Sequence, residues 1–165
     1  MSGPVRVGQG FDAHPFGEKA DRPLVLAGAV VPGEPGLAAH SDGDVVLHAV
    51  CDALLGAAGL GDLGDVFGTE DPAYADADSQ VFVAGVLARL ASGRWGVGNL
   101  DCTVIAQRPR LGPHRDRLRA SLASLLGLPG DRVALKATGT DHVGALGRGE
   151  GIACLAAVLL VDVDD

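Results

Sequence analysis

Apolar positions along this chain repeat with two periods, and the changes between them mark the predicted elements. Val5 to Phe16 reads as a strand running into a loop. Leu24–Ala27 and Val30–Val31, separated by Gly28-Ala29 and bounded by Pro23 and Pro32, predict a short hairpin. A helical period carries Val45 to Ala58, with Ser41 or Asp42 as its cap and Gly59 and Gly61 as its stop. Gly59 to Ala77 is dense in Gly and Asp and reads as loop. A second helix is expected over Ser79–Ala91, with Asp76 or Asp78 near its start. Leu100, Cys102, Val104 and Ala106 alternate with Asp101, Thr103 and Ile105, which predicts a strand. Pro113 suits the first turn of a third helix running through Leu126.

Val133–Thr138 and Ile152–Val161 are the closing strands, and the last is apolar almost throughout. A strand covered on one face alternates, whereas a continuous apolar run implies burial of both faces. One layer of helices covers one face of a sheet, so a symmetric copy of the chain is the economical cover for the other. The 165 residues show neither repeat nor linker and fit one domain.

Composition narrows the function classes. Hydrophobic residues make up 47% of the chain, yet no apolar run approaches the roughly 20 residues that span a bilayer. The start, Met-Ser-Gly-Pro-Val-Arg, has no signal or transit character, so a cytoplasmic protein without membrane attachment is expected. Cys51, Cys102 and Cys154 lie in apolar stretches with no CxxC pair, which favours buried reduced thiols. The net charge of -8 argues against nucleic acid as a partner. Nine acidic residues and no Lys or Arg lie between Asp42 and Asp78. A phosphorylated ligand meeting that region would need bound cations to offset repulsion.

Candidate chemistry starts with Asp12-Ala-His14, whose side chains share a face in an extended segment. His48, on the first predicted helix, can approach them from another element. One carboxylate and two imidazoles are the three protein ligands that catalytic zinc usually takes, leaving a fourth position open. Asp44, His48 and Asp52 form an i, i+4, i+8 polar stripe, so a carboxylate one turn away could orient the His48 ring. Ser41 and Asp44 also read as a variant capping box. Lys136-Ala-Thr-Gly-Thr-Asp141 and Gly147-Arg-Gly-Glu-Gly151 offer amides and hydroxyls to phosphate, or form a plain hairpin loop. Ile105 to Pro113 is either a ligand-binding rim or a simple connection.

Seven segments together resemble a known family, the 2-C-methyl-D-erythritol 2,4-cyclodiphosphate synthases of the non-mevalonate isoprenoid pathway. They are Arg6-Val-Gly-Gln-Gly-Phe-Asp-Ala-His14, Ala39-His-Ser-Asp-Gly-Asp-Val-Val-Leu-His48, Asp52-Ala-Leu-Leu-Gly-Ala, Gly61-Asp-Leu-Gly64, Ile105-Ala-Gln, Lys136-Ala-Thr and Gly147-Arg-Gly-Glu-Gly-Ile-Ala153. The resemblance implies an α+β fold: a single-domain α/β sandwich over residues 1–165 with a mixed β-sheet. Helices would cover one face, and the other would be buried in a homotrimer with intersubunit active sites. It implies one zinc per subunit on Asp12, His14 and His48. A second divalent ion, Mg²⁺ or Mn²⁺, would accompany the substrate diphosphate, with Asp141 as a ligand. Substrate contacts would include Asp12 and His14. His40 and Ser41 would meet the phosphates, and Asp62, Leu63 and Gly64 the methylerythritol part. Ala106, Gln107, Arg108, Pro109, Arg110, Leu111 and Gly112 would form the cytidine pocket. Thr138, Gly139, Thr140 and Asp141 would face the diphosphate, with Ala145 and Arg148 towards a central channel. His40, Thr138 and Gly139 would contact the transition state.

The implied reaction converts 4-diphosphocytidyl-2-C-methyl-D-erythritol 2-phosphate to the 2,4-cyclodiphosphate and CMP. Two departures bear on it. Gly139 and Asp141 stand where relatives often carry Thr and Glu, and Ala145 stands where a Phe lines the relatives' cavity. Two other functions use the same residues: a zinc-dependent phosphohydrolase, and a non-catalytic trimer that binds isoprenoid diphosphates.

Overall fold

The computed structural model describes residues 4–17, 22–69 and 71–163. Strands β1 (Val5–Pro15), β4 (Trp95–Ala106), β5 (Val133–Thr138) and β6 (Gly151–Asp162) form one sheet in the order β1–β6–β4–β5. β6 runs antiparallel to both β1 and β4, and β5 is parallel to β4, so the sheet is mixed. β2 (Pro23–Leu26) and β3 (Ala29–Pro35) make a separate antiparallel hairpin. The turn falls on Ala27-Gly28, both at positive φ, one residue earlier than the sequence pattern predicts.

Three helices lie on one face of the sheet. α1 (Val45–Ala58) packs across β1 and β6, α4 (Arg115–Leu126) packs against β5, and α3 (Gln80–Ser92) sits between them. The shared core takes Leu100, Cys102 and Val104 from β4 and Ile152, Cys154, Ala156, Val158 and Leu160 from β6. The architecture is therefore α+β with a mixed sheet and one helical layer.

Several elements differ from the pattern. α1 is capped by Asp44, not Ser41 or Asp42: its carboxylate accepts from the Val46 and Leu47 amides. The same carboxylate accepts from Ala27 and Gly28, so the hairpin fixes where the helix starts. Gly59, at φ 74, ends it in the left-handed conformation. The Gly/Asp-rich segment contains a short helix, α2 (Leu63–Phe67), stabilised by a reciprocal capping box between Asp62 and Asp65. β4 starts at Trp95, five residues before the alternation becomes regular, with an irregularity between Val97 and Asn99. Pro113 sits in a 3₁₀ turn that leads into α4. A four-residue helix, α5 (Gly144–Gly147), precedes β6.

Double burial of the last strand is not met within one chain. The face of β6 carrying Leu155, Ala157 and Leu159 points away from the helices, opposite Phe11, Gln9 and Val7 on β1. Val7 is 74% exposed and Phe11 56%. Full burial of such a side chain is worth about 1.5–3 kcal/mol, which this face forgoes in the isolated chain. Its apolar character is interrupted by Gln9, by Thr103 and by the Lys136–Asp101 ion pair, 2.6 Å long, across β5 and β4.

Candidate metal centre and adjoining cleft

Two glycines bring the main chains of β1 and α1 into contact. A Cβ on Gly8 would lie 2.0 Å from the Ala53 carbonyl oxygen, and one on Gly10 would lie 2.0 Å from that of Ala49. Side chains at 8, 10, 12 and 14 share a face of the strand, so Asp12 and His14 continue this seam towards the start of the helix. His48 precedes Ala49, and the seam therefore delivers it to the same point.

Asp12 Oδ2 lies 2.8 Å from His14 Nε2 and 3.0 Å from His48 Nδ1. The two nitrogens are 3.1 Å apart. A divalent ion with bonds of about 2.0–2.2 Å spaces tetrahedral ligands roughly 3.3–3.5 Å apart, so a small relaxation outward would seat one. The donor set of one carboxylate oxygen and two imidazole nitrogens suits zinc, and the other Asp12 oxygen is held by the Ala13 amide. Asp12, His14 and His48 thus fit a metal ion of this class.

Burial alone would raise the Asp12 carboxyl. The hydrogen bonds and charges of His14 and His48 outweigh it and hold Asp12 well below the usual carboxylate range. For His48 burial works downward, and the Asp12 hydrogen bond, with the charges of Asp12, Asp44 and Asp42, lifts the ring above its ordinary value. Both shifts express one mutual attraction: the carboxylate favours the charged ring, and the rings favour the ionised carboxylate.

The polar stripe on α1 does not orient His48. Burial pushes the Asp44 carboxyl up to about 6 against the pull of the Gly28, Leu47 and Ala27 amides, and its bonds are structural. Asp52 Oδ1 accepts from the Leu63 amide at 2.9 Å, tying α2 to α1. The far nitrogen of His48, Nε2, instead meets the Ser41 hydroxyl at 3.1 Å and the Ser79 hydroxyl at 3.0 Å. Ser79 lies 31 residues from His48, and only its place at a helix start marked it in the sequence.

A cleft of about 250 Å³ opens beside the triad. His40, Ser41, Leu63 and Gly64 line it together with Asp12, His14 and His48. Asp62 does not: its carboxylate caps α2 through the Asp65 amide at 2.9 Å. The sequence pattern also missed an aromatic wall of Phe67, Tyr74 and Phe82, whose rings sit 5.1–5.7 Å apart edge-on or tilted. Asp52, Ala39, Gly68 and Thr69 complete the lining. His40 Nε2 is 3.1 Å from the Asp71 carbonyl, which ties this histidine to the loop over the cleft.

The remaining predicted residues gather elsewhere, past the ends of β4 and β5, and none lines this cleft. Ala106 and Thr138 are the last residues of those strands. A Cβ on Gly139 would touch Gln107 Oε1 at 3.4 Å, so the two segments adjoin. Arg108 stacks on Phe16 at 4.1 Å and pairs with Glu34, which turns it towards the β3 strand. Leu111 is buried in the core, while Pro109 is half-buried and Arg110 and Gly112 are exposed. Thr138 and Thr140 hydroxyls donate to the nearby Gly139 and Val143 carbonyls. Asp141 and His142 stand at φ 49 and 64, and Ala145 and Arg148 are exposed.

The YgbB family's sequence model matches residues 5–161. The 2-C-methyl-D-erythritol 2,4-cyclodiphosphate synthase of Yersinia pestis (strain Pestoides F) is 50% identical over 160 residues, covering 97% of this chain and 99% of its own. The bifunctional IspDF from Campylobacter jejuni superimposes with a TM-score of 0.91 at 38% identity, covering 99% of this chain and 44% of that longer one. A 2C-methyl-D-erythritol-2,4-cyclodiphosphate synthase in a CDP-bound form superimposes with a TM-score of 0.85 at 37% identity, covering 94% of this chain and 99% of that one.

Proposed function

The chain belongs to the YgbB family, and on that footing we propose that it is an enzyme closing 2-C-methyl-D-erythritol 2,4-cyclodiphosphate in isoprenoid precursor biosynthesis. The substrate is 4-diphosphocytidyl-2-C-methyl-D-erythritol 2-phosphate. An oxygen of its 2-phosphate forms a bond to the β-phosphorus, the bond from that phosphorus to the bridging oxygen breaks, and CMP leaves with the electron pair. The observation that carries this reading is the Asp12–His14–His48 triangle at the mouth of a cleft lined by His40 and Ser41.

No protein nucleophile is needed, so the residues act by placing two anionic groups and offsetting their charge. Asp12, His14 and His48 would hold zinc and Asp141 a second divalent ion, Mg²⁺ or Mn²⁺, and these when bound would supply positive charge to offset that of the phosphates. His40 and Ser41 donate to phosphate oxygens from the cleft wall. The Leu63 and Gly64 backbone holds the methylerythritol part, and Asp62 fixes that backbone by capping α2. Ala106 to Gly112 take the cytidine, with Arg110 at the rim. Thr138, Gly139 and Thr140 present hydroxyls and amides to the diphosphate, and Gly139 acts through its amide alone.

We take the working form to be a homotrimer with sites between subunits. The cleft of about 250 Å³ is smaller than the roughly 300–1,000 Å³ that encloses a ligand of this size. The strand-end patch from a neighbouring copy completes it. The bare apolar sheet face supports the same assembly, with Ala145 and Arg148 towards the channel. Residues 1–165 act as one domain. Three free buried cysteines suit a reducing compartment, and we place the enzyme in the cytoplasm.

Phosphorus NMR on the cytidyl substrate, with and without chelator, tests the reading. The expected products are CMP and a cyclic diphosphate, lost on chelation and restored by zinc with Mg²⁺. Open-chain phosphates would make the protein a phosphohydrolase, and substrate binding without turnover would make it a non-catalytic binder.

A further inference from the structure

We propose that Asp42, acting through the hydroxyl of Ser79, fixes the tautomer of His48 and thereby decides which imidazole nitrogen faces Asp12 and His14. Both are positioning residues that touch neither ion nor substrate, and the inference rests on the metal reading of the triad.

Ser79 occupies the N-cap of α3, where a serine hydroxyl ordinarily accepts from the helix's own first amides. Here it makes no such bond, and the Asp78 carboxylate takes the Gln80 amide at 2.9 Å. Ser79 is fully buried and turned inward. Its hydroxyl lies 2.5 Å from Asp42 Oδ1 and 3.0 Å from His48 Nε2.

A hydroxyl carries one proton, and a carboxylate oxygen only accepts. The Ser79 proton therefore goes to Asp42, at the length of a charge-assisted bond. What Ser79 shows His48 is a lone pair, so Nε2 must carry the hydrogen. A neutral ring protonated there leaves its free electron pair on Nδ1, the atom 3.0 Å from Asp12 Oδ2. Asp42 can set this direction because it is itself fixed. The Ser79 amide donates to its Oδ2 at 3.0 Å, the Asp44 amide to its Oδ1 at 3.1 Å, and its own amide reaches the Ala77 carbonyl at 3.0 Å.

Two neighbours make the relay necessary. Asp12 is an acceptor on the opposite side of the ring and on its own would draw the proton onto Nδ1, the nitrogen a metal needs bare. Ser41 also lies 3.1 Å from Nε2, but among the described residues its only other side-chain bond is received from the Gly43 amide at 3.4 Å. Its proton is thus free to turn either way, and it cannot impose a tautomer.

The test compares Ser79→Ala, Asp42→Asn, Ser79→Thr and Ser41→Ala with the wild-type chain. Zinc affinity is read by chelator competition, and the His48 nitrogens by long-range ¹H–¹⁵N correlation in zinc-loaded and metal-free protein. Asn at position 42 can donate to Ser79 and reverse its hydroxyl. We expect Asp42→Asn and Ser79→Ala to weaken zinc about 10–100-fold and shift metal-free His48 towards the Nδ1–H form, with Ser79→Thr near wild type. Should Ser79→Ala fail to fold, Asp42→Asn carries the test, since it keeps the buried serine. Wild-type affinity in Asp42→Asn, or a loss confined to Ser41→Ala, would overturn the proposal while leaving the metal reading standing. A wild-type chain that takes up no zinc would overturn both.

Discussion

The triad and the patch past the ends of β4 and β5 are both rich in polar side chains, but they are held in opposite ways. Around the triad the rings and carboxylates are tied to other elements of the chain: Asp12 to His48, His48 to Ser41 and Ser79, Ser79 to Asp42. In the patch Arg108 reaches far, to Glu34 and the Gly149 carbonyl, but the bonds of the segment past β5 are local. Thr138 reaches the next residue, Thr140 the third one on, and Arg148 pairs with Glu150 two positions away. Asp141 and His142 stand side by side in the left-handed region, which non-glycine residues seldom occupy. The first region is organised by tertiary packing before any ligand arrives. The second is shaped by its own turns, and in the proposed assembly a neighbouring copy's cleft would give it its purpose.

The largest expected effect removes a corner of the organised half. His48→Ala should lose zinc by more than about 100-fold, beyond the range for supporting residues. It should stay folded, because the core residues of α1 such as Val46, Val50 and Leu54 are untouched. Metal analysis beside circular dichroism checks this, and full zinc retention would dissolve the three-ligand assignment.

Next in size is a cut between the halves. Leu159→Asp puts a charge on the bare sheet face, where an unpaired buried charge costs about 3–5 kcal/mol. We expect monomers by ultracentrifugation and lost cyclisation with zinc retained. Unimpaired turnover by the monomer would remove the reason for treating the patch as a neighbour's contribution.

A smaller, graded effect separates the halves by pH. Zinc must displace the His48 proton, so its affinity should fall about tenfold for each pH unit below the ring's raised folded pKa. In the metal-free protein the sign reverses. Stability from protonated His48 is full below the ordinary 6.5 and is lost as pH rises through the higher folded value. Asp12 contributes above 3.8 and its share is lost as pH falls through its depressed value. Melting curves with and without chelator should therefore diverge as pH climbs past 6.5.

Thr138→Ala should be mildest. Loss of one neutral hydrogen bond, about 0.5–1.5 kcal/mol, predicts a roughly two- to tenfold fall in kcat/KM. Zinc affinity should not change, and a change there would mean the halves are coupled through the chain.

Legibility in the sequence follows the same divide between near and far. Asp12 and His14 were readable because a strand's period is two, and α1 because its apolar run has the right length and a glycine stop. The Asp44 cap was not, since three candidate caps lie within four residues and the Ala27 and Gly28 amides that decide among them belong to another element. α2 carried its signal in Asp62 and Asp65, which glycine density concealed. The run in β6 correctly marks two apolar faces, but one chain covers only one of them. Ser79 and Phe82 lie more than 30 residues from His48, and Phe67 and Tyr74 stand in a Gly/Asp-rich stretch, beyond any periodic signal.

The Gly8 and Gly10 seam gives the metal seat a fixed calibre. Its width is gauged by carbonyl oxygens of Ala49 and Ala53, with the Ala57 methyl, against bare strand backbone, and nothing there has a rotatable side chain to flex or drift. Loops around the cleft can therefore be exchanged, and the ligand they favour retuned, without resizing the seat. The same seam leaves that seat no gradual route of change, because the first methyl group added to it would have to lift a whole helix.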